Sequence, residues 1–133
     1  MTPRVVRRLA WSLYGLALVL AAGGEVFVVL TSSGVLENTL FALIFMAMGF
    51  TGALIASRRP ENAIGWLLVG STLVIALAFV TSGAATYSFE TNPGSIPGAR
   101  WLAWVGTWAW QAGIGPILSY LFLLFPDGRL PSP

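Results

Sequence analysis

Apolar positions along this chain gather into four long blocks, residues 9–30, 39–57, 63–81 and 101–125, with short polar connections between them. Within each block the apolar residues run on without the alternation of period two that a membrane barrel strand requires. Each block holds roughly 20 residues, the number a helix needs to cross a ~30 Å hydrocarbon core. Backbone amides in lipid must find their hydrogen-bond partners within the chain, so continuous blocks predict helices. The expected fold class is all-α, a four-transmembrane-helix bundle forming a single membrane domain. An outer loop is expected at 82–100 and a cytoplasmic connector at 126–133.

Composition points the same way. Of 133 residues, 56% are hydrophobic and 9% charged, whereas soluble domains average about 25% charged residues. A soluble core of this size does not hide four such blocks, so lipid solvates much of the surface. The basic start could introduce a cleaved signal peptide. Its apolar run of about 22 residues exceeds an h-region of 7–15, so block one reads as a span.

Charge then sets an orientation. Arg4, Arg7, Arg8, Arg58, Arg59 and Arg129 fall on one side of the implied membrane, and Arg100 alone falls on the other. Cytoplasmic loops collect arginine, so both termini are expected in the cytoplasm. The same placement explains the net charge of +2 without nucleic acid as a partner. The chain has no cysteine and no histidine. This removes disulfides, thiolate metal sites and the commonest general base. Five scattered acids form no carboxylate pair, and no nucleotide-binding or metalloprotease motif occurs. No catalysis, cofactor or metal is expected within these residues.

Several positions are candidates for more than structure. Glu25 interrupts the outer half of the first block; it reads as a binding or proton-linked carboxylate, or as an acid that snorkels outward. In the second block, Gly49/Ala53 and Gly52/Ala56 are small-xxx-small pairs. They serve packing within the chain or, alternatively, a homodimer. Arg58, Arg59, Pro60 and Asn62 form a tight connection: the arginines anchor topology, Pro60 ends the second helix, and Asn62 caps the third. In the outer loop Glu90 is a candidate sensing residue. Trp101, Trp104 and Trp108 share one helix face near the outer boundary, as an aromatic belt or a stacking platform. Gln111 and Tyr120 are the polar groups expected to face the bundle, and Pro116 is expected to kink the fourth helix. Pro126, Asp127, Gly128 and Arg129 form a turn-rich connector that reads as leading onward.

Two stretches carry a family-level signal. They are Ser57-Arg58-Arg59-Pro60-Glu61-Asn62-Ala63-Ile64-Gly65-Trp66-Leu67-Leu68 and Leu123-Leu124-Phe125-Pro126-Asp127-Gly128-Arg129-Leu130-Pro131-Ser132-Pro133. Together they resemble the N-terminal membrane region of multi-span bacterial sensor histidine kinases, especially of actinobacteria and Chloroflexi. The family often has proline where this chain has Ala63, and either residue suits the first helical position. The resemblance implies a bacterial inner-membrane module of a two-component system, with dimerisation, phosphoacceptor and ATP-binding domains downstream as output partner. None of those lies within these residues. The expected function is sensing and transmission, with Glu25, Glu90, Trp104, Trp108 and Gln111 as candidate sensing residues. A small four-span transporter using Glu25 and a structural membrane subunit are the alternatives.

Overall fold

The computed structural model describes residues 2–124, with the side chains of Pro3 and of residues 121–124 left aside. The connector residues Pro126, Asp127, Gly128 and Arg129 lie outside the described residues. The fold is all-helical, with α1 at Pro3–Thr31, α2 at Val35–Arg58, α3 at Ala63–Thr86 and α4 at Ala99–Leu124. A π-helical turn, Tyr87–Thr91, extends α3.

Local chemistry explains the boundaries. Proline at the start of α1 loses no intrahelical hydrogen bond. The α1–α2 turn needs two left-handed residues, Ser32 at φ 52° and Gly34 at φ 54°. Asn62 caps α3, its side chain accepting a hydrogen bond from the Ile64 amide at 2.9 Å. The Trp66 indole donates to the Pro60 carbonyl at 3.0 Å and pins the same connection. Each helix runs past its apolar block, and α3 differs most. Instead of ending near residue 81, it continues through small, helix-compatible residues until Pro93-Gly94 breaks the chain. Ala84, Ala85 and Ser88 are buried along this extension. The irregular segment between α3 and α4, expected over 82–100, is therefore residues 92–98. Ser88 holds it, its hydroxyl accepting from the Ile96 amide and its carbonyl from the Gly94 amide. At its other end, α4 runs unbroken through Pro116.

Helix α3 is the hub, packing against α1, α2 and α4. Glycines on its neighbours set the approach. A Cβ at Gly49 would meet Thr72 and one at Gly52 the Val69 amide, which joins α2 to α3. Gly24 of α1 faces Phe79, and Gly106 and Gly113 of α4 face Ser82 and Ile75. The Gly49/Ala53 and Gly52/Ala56 pairs thus serve packing within the chain, as small residues in membrane helices commonly do. Ala53 and Ala56 are fully buried there. Helix α4 takes a peripheral place: it lies along α3 and touches α2 at Trp110.

Helices α1, α2 and α3 are each long and apolar enough to cross a membrane. Their outward residues, such as Leu16, Val19, Val29, Leu36, Leu43 and Ile44, are exposed and apolar. The fourth helix is less apolar. Four tryptophans, Gln111 and Pro116 lower its hydropathy, although its 26 residues extend about 39 Å at 1.5 Å each.

Candidate functional site

Because α2 and α4 flank α3 without packing closely on each other, a cleft of about 490 Å³ remains between them. Ile75, Ala78, Phe79 and Ser82 of α3 form its floor. Asn38, Phe41, Phe45 and Met46 of α2 line one wall, and Thr107, Trp110 and Gln111 of α4 the other. Such a volume falls within the range of small-molecule sites.

Aromatic rings bridge the two walls. The Phe41 and Phe45 centroids are 4.6 Å apart, and the Trp110 centroid lies 5.4 Å from Phe41 and 6.3 Å from Phe45. Behind the floor, the Thr72 hydroxyl donates to the Leu68 carbonyl at 2.9 Å and to the Phe45 carbonyl at 3.3 Å. This ties the α2 wall to α3, whereas the aromatic bridge joins α4 to α2. Among the described residues, no Asp, Glu, Lys or Arg lines the cleft.

Its polar groups are few. Asn38 spends its amide hydrogens on the carbonyls of Ser33 and Gly34, each at 3.0 Å, leaving its side-chain oxygen unengaged. Thr107 donates to the Ala103 carbonyl at 3.0 Å. Among the described residues, the Ser82 hydroxyl and the Gln111 carboxamide make no side-chain hydrogen bond.

The residues singled out from sequence do not converge. Gln111 lines the cleft. Trp104 and Trp108 point away from the bundle, 57% and 60% exposed, in a row with Trp101 that is edge-to-face at Trp101–Trp104 and tilted at Trp104–Trp108. Glu90 is exposed on the π-helical turn. Glu25 sits between α1 and α2, where its Oε2 accepts from the Thr39 hydroxyl at 2.9 Å while its Oε1 is buried without a partner. Arg58, Arg59 and Pro60 are exposed at the opposite end of the molecule.

Sequence reading missed Trp110, Phe41, Phe45 and Ser82. One signal was present: Trp110 follows Trp108 by two positions, which rotates it off the face shared by Trp101, Trp104 and Trp108.

Fold and cleft together define an all-helical membrane protein. The sequence matches no protein-family model and no curated protein, and the fold matches no solved structure.

Proposed function

We propose that the chain is a four-span bacterial inner-membrane module that receives a signal in its outer half and transmits it to a cytoplasmic output domain. Both termini face the cytoplasm, and these residues perform no catalysis. The observation that carries the reading is the position of α4. It leads toward the connector 126–133, it is peripheral, and it meets α2 across the cleft through Trp110. A change in cleft width displaces the helix nearest the output. A stimulus drives such a change only by binding the two widths with different affinity. The resemblance of both cytoplasmic stretches to sensor kinase membrane regions supports a kinase as that output.

The arrangement favours transmission over transport. A proton-coupled carrier needs its carboxylate in the passage, and Glu25 does not line the cleft.

The absence of native cysteine allows a direct topology test. With Ser95→Cys, a membrane-impermeant maleimide labels the protein in intact cells. With Glu61→Cys, labelling requires permeabilised cells. The reverse pattern, or equal labelling of both, rules out the proposed orientation.

The signalling role is tested by joining the chain through residues 126–133 to a histidine kinase core. Aromatic pairs contribute about 0.5–1.5 kcal/mol beyond area burial, so Trp110→Ala is expected to shift basal output roughly three- to tenfold. Trp101→Ala, on the outward face, leaves output unchanged. Equal output from Trp110→Ala and the parent chain defeats the transmission reading.

A further inference from the structure

We infer that the α2–α4 cleft is a binding site for an uncharged lipophile with a small hydroxyl- or carbonyl-bearing head, which enters sideways from the bilayer. The inference deepens the signalling reading by naming the class of ligand, and binding can be measured without any output domain.

Three observations on the lining define the ligand. Size comes first. At about 490 Å³ the cleft is far larger than the gaps that close packing leaves between helices. Charge comes second. With no ionisable side chain in the lining among the described residues, a charged ligand would lose its hydration without gaining a counter-ion there, a cost of several kcal/mol per ion. The occupant is therefore neutral.

Hydrogen bonding comes third, and it separates a ligand from ordinary acyl tails. Gln111 stands twelve residues beyond the first residue of α4, about 18 Å along a helix that the proposed four-span topology places across the bilayer. Its carboxamide and the Ser82 hydroxyl reach the cleft without a side-chain hydrogen bond among the described residues. Each unsatisfied polar group in hydrocarbon is costly, and a saturated tail does nothing to relieve it. A hydroxyl can both donate to and accept from a carboxamide; a carbonyl can accept from it.

The route follows from the exterior. The outward faces beside the cleft are apolar, with Leu40, Leu43 and Ile44 on α2 and Trp104 and Trp108 on α4. A ligand dissolved in the bilayer meets no polar barrier there.

The test uses the full chain in phosphatidylcholine vesicles with a monoacylglycerol that bears a photoreactive diazirine in its acyl chain. Labelled peptides are mapped by mass spectrometry. Label is expected on residues 41–46 and 75–82, saturating with dose. Excess monooleoylglycerol displaces it, whereas equal oleate anion or added phosphatidylcholine does not. Gln111→Leu raises the half-saturating concentration about fivefold, the worth of one net hydrogen bond. Ala42→Trp, which fills the cleft, abolishes specific label; because Gln111 is exposed, its variant keeps the test valid should the bulkier change misfold. Displacement by benzophenone as well as the glyceride assigns the site to free lipophiles, and displacement by the glyceride alone assigns it to lipids.

Label spread equally over Leu16, Val19 and Val29, and not displaced, overturns the proposal in favour of bulk acyl chains. Displacement by oleate as effective as by the glyceride overturns the neutrality on which it rests. Specific labelling with a Trp110-insensitive kinase output defeats the signalling reading and keeps the site. The opposite pair of results defeats the site and keeps the reading.

Discussion

Replacing Gly52 by leucine is expected to destabilise the membrane domain by about 2–3 kcal/mol, the upper part of the range for overpacking a well-packed contact. A Cβ at this position would lie 2.6 Å from the Val69 amide nitrogen, 2.7 Å from the Leu68 Cβ and 3.0 Å from the Gly65 carbonyl oxygen. Two of these three atoms are backbone and cannot move aside by changing rotamer. The helices must separate instead, and the neighbouring contacts of Ala53, Ala56 and Gly65 separate with them. Gly70→Ala supplies the contrast. Nothing stands within 4 Å of a Cβ there, so alanine's better helix propensity should leave the protein unchanged or add about 0.5–1 kcal/mol. Unfolding in detergent micelles, followed by helical circular dichroism, reads both. Equal midpoints for the two variants would refute the close α2–α3 contact.

The second large effect concerns α4 alone. Gly113→Leu is expected to loosen α4 from α3 by about 2–3 kcal/mol while α1, α2 and α3 stay assembled. A Cβ at Gly113 would stand 2.5 Å from Ile75 Cγ1, 3.2 Å from the Ile75 amide and 3.3 Å from the Ser71 carbonyl. Because α4 is peripheral, local separation need not spread through the hub, and regions of a protein do open with different free energies. The tryptophans make this visible. Four of the six, Trp101, Trp104, Trp108 and Trp110, belong to α4, so fluorescence follows that helix more than the others. In Gly113→Leu the fluorescence transition should fall at lower denaturant than loss of helical circular dichroism. Gly115→Ala, with open space around the added Cβ, should keep the parent behaviour. A single coincident transition in Gly113→Leu would refute an independently detachable α4.

Both predictions bear on the proposed signalling role through the same geometry. Helices α2 and α3 are joined at Gly52 and Gly65, where backbones nearly touch, and α1 packs on both, which suits a rigid frame. The α4 helix packs closely along α3, with Gly106 and Gly113 against the α3 backbone, but it packs on that one helix and meets α2 at the Trp110 bridge, which suits an element that can shift against α2. The ligand proposed between α2 and α4 would compete with that bridge directly.

Local features of the chain were legible before any tertiary structure. Continuous apolar blocks specify helices because lipid offers the backbone no partners. The Asn62 cap and the end of α2 at the Arg58-Arg59-Pro60 connection rest on interactions within a few residues, so sequence suffices for them. The pairs Gly49/Ala53 and Gly52/Ala56 marked a close helix contact, though not which helix would fill it. The end of α3 was misjudged because Ser82, Gly83 and Thr86 look like loop residues, yet they are compatible with a helix whose face is buried on α1.

The candidate site was legible only in Gln111. In water, burial can be read from hydrophobicity, because apolar faces seek the core. In a membrane, lipid tails are as apolar as leucine, so Trp104 facing outward and Trp110 facing the cleft carry the same hydropathy. The chain by itself determined that it forms long apolar helices joined by short turns, since those depend on backbone satisfaction and local chemistry. Only the tertiary structure decided that α3 is the hub, that α4 stands at the periphery and that a neutral cleft opens beside Trp110. Those outcomes depend on which small residues let two backbones meet, and helix spacing alone does not encode the partner.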